Sequence, residues 1–553
     1  REDTVGVPSW GKFWLALVGL YEWQGVNPVL PEVWDMPRAI PAHPANYYCH
    51  TRLIYLGMAT LYGETPGIGD EALIAALRSE LFPKGYASVD WDAARHCLRE
   101  AEIFTPPSAP LKAMYDALRL FDDKIARPER RARIRERLRE HIRFELKSTD
   151  DTCISPVNGM LSLIGLWHHD HDDADFHRAI RRFEGWVWED DVDGFRITGA
   201  RSASWDSAFA VQALTAASAH FDVSDALEIG DAFLASQQIR EPQAEDYERY
   251  FRIDPTGGYC FAGVWHGWPV SDCTAEAMIA RLEGPMSLAT KEEMTRAAEF
   301  VLRTECPQGG FGSYEPFKPI IELEWLNPAE MFGDSMTEHP YVECTASCVV
   351  ALAAFRKRYP DVMSERIDSA IRRAAVQIRR QQRPDGSWAG NWGIHFIYGT
   401  LFAIRGLLAA GVPSHDPAIV AARDWLRGKQ RADGGFGESH RGCLEDRYVE
   451  ASHSQVIQTA WALSALIEAE EPSWDCIERA AHYLASRQND DGSWPKEEPA
   501  GVFFHTALLH YERYRDYFPL WALGQFETRR LARLPLLGAR VEHVRATIRS
   551  SPA

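Results

Sequence analysis

The ten cysteines of this 553-residue chain lack the close pairing that would suggest a disulfide framework. None of them forms a C-x-x-C pair, and they are scattered along a long chain. Disulfides belong to oxidising compartments and to small domains that cannot build a sufficient core. The pattern therefore predicts reduced thiols in a cytoplasmic protein.

Long apolar runs and an excess of basic residues are also missing. The longest apolar stretch near the start covers only residues 13–20, whereas a spanning helix needs roughly 18 to 20 residues. The sequence thus predicts neither a transmembrane helix nor a signal peptide. With 60 basic and 79 acidic residues the net charge is −19, which argues against nucleic acid as a partner and gives no basic signal for anionic lipid.

The sequence does contain a repeated helical pattern, and 46% of its residues are hydrophobic. Six apolar helical runs open with similar dipeptides at intervals of 47 to 71 residues, and an amphipathic stretch precedes each one. Six outer and six inner helices predict an all-α protein with an (α/α)6 barrel. The dipeptides are Ser207-Ala, Thr274-Ala, Thr345-Ala, Thr400-Leu, Thr459-Ala and Thr506-Ala, and the amphipathic stretches lie near 176–188, 225–238, 290–304, 365–382, 416–430 and 474–488.

Several outer helices end in the same motif, a Gln or Glu followed by glycine and an aromatic residue. A glycine suits a helix C-terminus, and the Gln side chain can bond loose backbone groups while the ring covers the turn. We therefore predict structural clamps between neighbouring helices. The segments are Gln382-x-x-x-Gly386-Ser-Trp388, Gln430-x-x-x-Gly434-Gly-Phe436, Gln488-x-x-x-Gly492-Ser-Trp494 and a degenerate copy at Glu305…Gly309-Gly-Phe311.

One inner helix begins with a carboxylic acid beside a thiol, in Trp268-Pro-Val-Ser-Asp272-Cys273-Thr-Ala-Glu276. Opening an epoxide or an alkene requires a proton donor, and a carboxyl group in a mostly apolar cavity has the raised pKa that keeps it protonated. Asp272 is the predicted donor, and Glu276, one turn later, would assist its reprotonation through water. The structural alternative for Asp272 alone is a helix N-cap.

The clamps together with Asp-Cys-Thr-Ala-Glu resemble the oxidosqualene cyclase family, which includes lanosterol and cycloartenol synthases. The resemblance covers nearly the whole chain, because several further motifs match in the right order. These segments are Pro8-Ser-Trp-Gly-Lys-Phe-Trp14, Trp205-Asp-x-Ala-Phe-Ala-Val-Gln-Ala-Leu214, Leu326-Asn-Pro…Phe332-Gly-Asp334, Tyr341-Val-Glu-Cys-Thr345, Trp392-Gly…Tyr398-Gly-Thr400 and Ala500-Gly-Val-Phe503…Tyr514-Arg…Phe518-Pro.

The resemblance implies a class II triterpene cyclase that protonates the epoxide of (3S)-2,3-oxidosqualene and cyclises it to a tetracyclic sterol precursor of the lanosterol type. The alternative product is of the cycloartenol or parkeol type, or another triterpene. It implies a catalytic barrel over residues 173–553 and a companion α-barrel, shortened at its start, over residues 1–172. It also implies that no cofactor or metal is needed. Family members carry a further region before the Pro-Ser-Trp-Gly segment, and this chain has no initiator Met.

The resemblance also assigns roles to particular side chains. Cys273 and Cys344 would hydrogen-bond the Asp272 carboxyl, and aromatic rings would line the cavity because their faces stabilise a carbocation without attacking it. His50 would take part in the closing deprotonation, with Tyr314 as its partner. The aromatic positions are Tyr48, Trp205, Phe261, Phe332, Trp392 and Phe503, with Tyr511 and Tyr514 nearby.

Product choice and substrate entry involve a further set of residues. Val270 matches the lanosterol-type pattern and His266 the cycloartenol pattern, while Gly199 departs from the larger residue expected and leaves extra room. Thr51 and Tyr55 match the family's channel constriction. A thirty-carbon polyene resists leaving a bilayer, since each buried CH₂ is worth about 0.8 kcal/mol. We therefore expect peripheral, monotopic membrane contact on the cytoplasmic side, with the apolar segment 53–58 as a candidate patch.

Three alternatives remain open. Squalene–hopene cyclases have similar repeats but an Asp-x-Asp-Asp acid motif, which is absent from Val270-Ser-Asp-Cys. The run His168-His-Asp-His-Asp-Asp-Ala-Asp175 has the residue types of a metal site, but it reads as a polar linker, and there is no Asp-Asp-x-x-Asp for magnesium-dependent ionisation. The third alternative to a cyclase is a truncated, inactive helical barrel that only binds polyprenoid.

Overall fold

The computed structural model describes residues 4–66, 70–191, 194–319 and 321–549, with side chains to residue 533. The first part of the chain is a helical region with long irregular connections. Its helices are α1 (Ser9–Leu17), α2 (Cys49–Leu61), α3 (Glu71–Leu81), α4 (Trp91–Ala94), α5 (Ala109–Lys124), α6 (Pro128–Ser148), α7 (Pro156–His169) and α8 (Ala174–Arg182).

The second part alternates inner and outer helices, with four short antiparallel hairpins among them. The helices are α9 (Ala203–Ala217), α10 (Ser224–Gln237), α11 (Ser271–Glu283), α12 (Lys291–Arg303), α13 (Val342–Arg358), α14 (Ser364–Arg380), α15 (Phe396–Ala409), α16 (Pro417–Arg427), α17 (Arg441–Glu445), α18 (Val456–Glu468), α19 (Trp474–Ser486) and α20 (Tyr514–Arg549). The strands pair as β1 (Val187–Asp190) with β2 (Gly194–Ile197), β3 (Tyr259–Cys260) with β4 (Pro269–Val270), β5 (Phe436–Glu438) with β6 (Glu450–Gln455), and β7 (Gly501–Phe503) with β8 (Ala507–Leu509).

Six inner helices form a closed ring, in the order α9, α11, α13, α15, α18 and α20, with α20 packed against α9. Helices α11, α13, α15 and α18 are buried over most of their length. Helices α15 and α18 are accordingly apolar on nearly every side, whereas α11 also buries Asp272, Glu276 and Arg281. Small residues allow the close approach: a Cβ at Gly406 of α15 would lie 2.8 Å from Cα of Ala346 on α13. The all-α barrel expected from the sequence is confirmed.

Five outer helices pack on this ring: α10, α12, α14, α16 and α19. They are amphipathic, and in α14 the buried positions Ile367, Ala370, Ala374 and Ile378 follow the helical period on one face. All five were expected from the sequence. The stretch near 176–188 differs, because α8 ends at Arg182 and packs against α6 and α7 rather than on the ring.

The sixth expected inner-helix start is also wrong. Thr506 lies in the turn between β7 and β8, and α20 begins only at Tyr514. The two preceding residues, Phe504 and His505, have positive φ angles of 49° and 69°. That geometry continues an antiparallel hairpin with a tight turn rather than starting a helix.

The predicted clamps at Gln382 and Gln430 tie neighbouring outer helices, whereas Gln488 Nε2 bonds Gly492 O of its own turn and Glu305 pairs with Arg373. Gln382 Nε2 donates to the carbonyl groups of Gly386 and Ala418 at 3.0 and 2.9 Å, which ties α14 to α16. One clamp escaped the sequence pattern: Gln238 Nε2 donates to Gly257 O and Glu293 O at 3.1 and 2.9 Å, and 18 residues separate Gln238 from Gly257 where the other clamps have three. The longer separation hides the repeat in sequence while preserving its geometry.

The long connection between α12 and α13 joins the two parts of the molecule. Glu330 accepts hydrogen bonds from the backbone N–H and hydroxyl of Ser9. Arg52 of α2 forms a bidentate ion pair with Glu315, and both side chains are buried, at 0% and 3% exposure. The same connection packs beside α2, so residues from both parts face a shared interior.

Candidate active site

A cavity of about 300 Å³ lies where α2, the start of α11, the loop at Tyr314 and the hairpin β7–β8 meet. Its lining is mostly apolar, and fifteen residues expected from the sequence contribute to it. They are Tyr48, His50, Thr51, Gly199, Trp205, Phe261, Val270, Asp272, Cys273, Tyr314, Phe332, Trp392, Phe503, Tyr511 and Tyr514.

Asp272 is the acidic side chain of this lining, and it is only 6% exposed. Its Oδ1 accepts the backbone N–H of Cys273 at 2.7 Å, and its Oδ2 accepts the Cys344 thiol at 3.4 Å. Burial raises the pKa of both thiols well above the usual value, so they remain protonated donors. The structure therefore brings the predicted acid and both predicted cysteines together.

Burial raises the pKa of Asp272 from 3.8 to about 6, while the bonds from Cys344 and the Cys273 backbone oppose that rise. The N-cap alternative for Asp272 is wrong. The N-cap residue of α11 is Val270, and Asp272 is the second residue of the helix. The carboxyl instead faces the cavity, where burial favours its protonated form.

Glu276 lies one turn after Asp272 but does not line the cavity. Its carboxyl is fully buried and accepts hydrogen bonds from Gln212 Nε2 at 2.7 Å and Ser347 Oγ at 2.6 Å. Arg405 is 3.6 Å away. Gln212 and Arg405 in turn line a second cavity of about 420 Å³. A polar network thus extends from one turn below Asp272 to that second cavity.

Aromatic rings cover much of the cavity wall. The Tyr511 and Tyr514 rings stack with centroids 4.4 Å apart, and the Tyr514 hydroxyl accepts a hydrogen bond from the Trp205 indole N–H at 2.9 Å. Phe261 bridges these rings, at 5.9 Å from Trp205 and 6.0 Å from Tyr511. This group and Asp272 line the same cavity.

A second aromatic group surrounds His50. Its imidazole stacks on Tyr48 with centroids 5.3 Å apart and meets the edges of Tyr314 and Phe503 at 5.3 and 5.4 Å. Burial, helped by nearby His266, lowers the pKa of His50 to about 3, so the imidazole is neutral. The His50 and Tyr314 rings are therefore adjacent, as expected, and Trp392 stacks on Phe503 at 5.6 Å.

Buried charges hold Tyr314 in place. The Glu338 carboxyl accepts the backbone N–H groups of Ser313 and Tyr314 at 3.1 and 3.0 Å. The Arg52–Glu315 pair fixes the next residue to the helix that carries His50. The sequence interpretation missed these positioning contacts, because each joins segments more than 20 residues apart.

Three expected positions lie outside the cavity wall besides Glu276. Cys344 reaches it only through its bond to Asp272. His266 is buried, and its Nε2 is 3.0 Å from Ile154 O. Tyr55 accepts the indole N–H of Trp10 at 3.0 Å, so it holds a residue that does line the cavity. At Gly199 a Cβ would meet only Leu509, at 3.9 Å, in agreement with the expected extra room.

Two other segments differ from expectation. Leu53, Ile54, Leu56 and Met58 are at most 6% exposed, so segment 53–58 is core and forms no surface patch. The polar run at 168–175 is not a free linker: His168 and His169 end α7, and the acids after them pair with arginines such as Arg143. Within the described ranges no group of three metal-ligating side chains is placed to hold an ion.

Several cavity residues were not expected, including Trp10, Ser335, Leu509 and Phe504. Phe504 follows Phe503, and a strand would place neighbouring side chains on opposite faces. Its positive φ breaks that alternation, which no local sequence signal indicated. Within the described part of the chain, no helix is long and apolar enough to cross a membrane.

A helical ring around an apolar cavity with one protonatable carboxyl defines a class II terpene cyclase. The squalene-hopene cyclase C-terminal domain model matches residues 201–528, and the N-terminal domain model matches residues 4–192. The chain belongs to this family, which includes the oxidosqualene cyclases, so the resemblance seen in the sequence is confirmed. The division expected at residues 172/173 stays a prediction.

Relatives with different names are similar to this chain. Human lanosterol synthase is 36% identical over 95% of this chain and 73% of its own length. Cycloartenol synthase of Dictyostelium discoideum is 34% identical over 95% of this chain and 75% of its own. Alpha-onocerin synthase LCD of Lycopodium clavatum is 32% identical, over 94% and 70%. Overall identity thus defines a triterpene cyclase but hardly separates the three.

Proposed function

We propose that the protein converts (3S)-2,3-oxidosqualene to a tetracyclic sterol precursor, lanosterol in the first instance. The observation that carries the proposal is the single buried Asp272 with its two thiols, facing a cavity of aromatic rings. Relatives named lanosterol synthase support the substrate and the product. Cycloartenol is the alternative product, since a cycloartenol synthase is nearly as similar.

The reaction begins with proton transfer from Asp272 to the epoxide oxygen. An epoxide is easier to open than an alkene, so one acid with thiol donors is sufficient where squalene would call for a stronger site. As the proton leaves, Cys344 and the Cys273 N–H stabilise the carboxylate that remains. Trp205, Phe261 and their neighbours then face the first cationic centres, each ring worth about 0.5–2 kcal/mol when desolvated.

The cascade ends when a proton leaves the final cation. His50 accepts it, because its imidazole is neutral, and Tyr314, whose ring contacts His50, is its partner in this step. One proton is added and one is removed, so the reaction is an isomerisation without a redox step. Glu276 assists the return of a proton to Asp272 through water, and its own hydrogen-bond network reaches the second cavity by Gln212.

Substrate entry requires contact with a lipid phase. At about 0.8 kcal/mol per buried CH₂, a thirty-carbon polyene stays in the bilayer. We place the protein peripherally on a membrane, on the cytoplasmic side, with Thr51 and the Tyr55–Trp10 pair at the entry constriction. Cosedimentation with phosphatidylcholine vesicles measures that contact, and protein that stays in the supernatant contradicts it.

The test is incubation of detergent-solubilised protein with (3S)-2,3-oxidosqualene, and with squalene in parallel, followed by gas chromatography–mass spectrometry. A tetracyclic alcohol from the epoxide alone is the expected result, and Asp272→Asn is the negative control. A hopene-type hydrocarbon from squalene would favour squalene–hopene cyclase-like activity, in which the acid protonates an alkene instead of an epoxide. Unchanged epoxide with folded protein would contradict the proposal and favour a barrel that only binds polyprenoid.

A further inference from the structure

The tip of hairpin β7–β8 holds a phenylalanine in an unusual conformation. Phe504 has φ +49° and is followed by His505 at +69°. A left-handed backbone is uncommon outside glycine and a genuine outlier for a bulky side chain. Such a conformation persists only when surrounding contacts over-determine it, and it is concentrated at functional sites.

The surroundings of the turn supply those contacts. His505 Nε2 is 2.9 Å from Asp334 Oδ2, and its ring stacks on Phe104 with centroids 5.3 Å apart. The Gly333 N–H donates to Phe504 O at 3.3 Å, and the Thr506 hydroxyl donates to Met331 O at 2.8 Å. The connection at residues 331–334 therefore holds the turn at Phe504 and at the two residues that follow it.

The ring of Phe504 is directed into the cavity wall. The side chain is 7% exposed and lines the cavity. Its centroid lies 4.1 Å from Phe503, 5.1 Å from Tyr48, 5.9 Å from Phe332 and 6.3 Å from Trp392. All four of those residues line the same cavity, and Tyr48 stacks directly on the imidazole of His50.

We infer that Phe504 is a specificity-determining residue of the cavity, whose ring, held by the Asp334–His505 pair, selects where the cation cascade ends. The inference rests on the proposed function. A ring packed against Tyr48 and Phe503, which both contact His50, stabilises positive charge near the base and limits how the polycycle can turn towards it. Removing the ring changes which carbon presents its proton to His50.

Two substitutions separate the ring from the backbone. Phe504→Asn removes the ring but suits the left-handed conformation, which asparagine tolerates. Phe504→Leu keeps apolar bulk and removes the aromatic face. The matched control is Phe251→Asn, because Phe251 also has a positive φ, +67°, and contacts Trp34 and His43 outside the cavity lining.

The measurement is the product ratio from (3S)-2,3-oxidosqualene by gas chromatography–mass spectrometry. Both Phe504 variants are expected to change the ratio of main to minor products by about 2- to 30-fold, the range of a cation–π contact. Phe251→Asn is expected to keep the wild-type ratio. A wild-type ratio in folded Phe504→Leu overturns the inference, whether or not Phe504→Asn folds.

A binding measurement keeps the inference apart from the proposed function. Protonated N,N-dimethyldodecylamine carries a cation, and dodecanol is its uncharged comparator; both are titrated by tryptophan fluorescence. Phe504→Leu should weaken amine binding by about 2- to 30-fold and leave dodecanol binding unchanged. If wild-type protein does not cyclise the epoxide, the proposed function fails, and this titration alone decides: equal amine affinities overturn the inference.

A substitution in the Asp334–His505 pair gives a second test of the inference. Asp334→Asn removes the charge that holds His505, and it is expected to move the product ratio in the same direction as Phe504→Leu, by a smaller factor of about two. Asp416→Asn, which weakens an exposed pair with Arg379 on the outer surface, is the control. A shifted melting temperature with an unchanged product ratio in Asp334→Asn would leave the pair a structural contact only and overturn its positioning role.

Discussion

The two ends of the cavity are built differently. The acid end uses neighbouring inner helices of the ring, where Asp272 on α11 bonds to Cys344 on α13. The base end combines His50 from α2, Tyr314 from a long loop and Phe503 from a hairpin, and these three side chains meet through ring contacts rather than hydrogen bonds. The hydrogen bonds at the acid end act on the protonation of the Asp272 carboxyl, whereas the packed rings at the base end set the shape of the cavity wall around His50. If the proposed function holds, we expect changes at the acid end to decide whether the reaction starts and changes at the base end to decide where it stops.

The sharpest test of this contrast is Asp272→Asn. The amide occupies the same space but supplies no acidic proton, so turnover should fall by at least about a thousandfold, since general acid catalysis is typically worth 10²–10⁴ and nothing else in the lining replaces it. Binding of dodecanol and the melting temperature should be unchanged. Normal turnover with a small loss of stability would mean that the carboxyl serves only the helix start.

The same contrast explains what the sequence could predict. Asp272 and its thiols lie in short motifs at inner-helix starts, and five outer helices follow a plain helical period. Asp272, Cys273 and the helical periods depend on neighbours within a few residues, whereas Cys344 lies 72 residues from Asp272 and was indicated by the family resemblance. The Arg52–Glu315 pair and the ring of Phe504 depend on contacts across 263 residues or on a single backbone angle, and no local pattern contains them.

Breaking the base end at its buried ion pair should cost the most stability. Arg52→Met leaves the Glu315 carboxyl buried with Lys318 as its remaining cationic partner. Removal of one member of a buried pair costs about 3–5 kcal/mol, measured as the free energy of unfolding in urea. Arg479→Met, in an exposed pair with Asp475, should cost less than about 1 kcal/mol. Equal losses would show that the junction does not depend on the buried pair.

Replacing the base should alter products more than substrate consumption. His50→Phe preserves a ring against Tyr48 but removes the proton acceptor, so the main product should fall by about a hundredfold. Epoxide consumption should fall far less, because Asp272 still starts the cascade, and the difference should appear as other alkenes. The control is His141→Phe, a buried histidine beside Glu145 outside the cavity lining. A parallel loss of consumption and main product would contradict the division between the two ends.

The smallest expected effect is a change in the pH profile of the acid end. Asp272 acts only when protonated, so with a pKa of about 6 the value of kcat/KM should fall as pH rises above 6. The Cys344 bond favours the carboxylate and lowers that pKa. Cys344→Ala should therefore move the alkaline fall to higher pH while reducing the rate at low pH by about tenfold, because a weaker acid protonates the epoxide less readily.

Cys344→Ser should restore the profile, and Cys476→Ala, a buried thiol on outer helix α19, should leave it unchanged. A profile that moves to lower pH in Cys344→Ala would mean that the thiol stabilises the protonated acid, and the acid end would then hold its proton by the thiol bond as well as by burial.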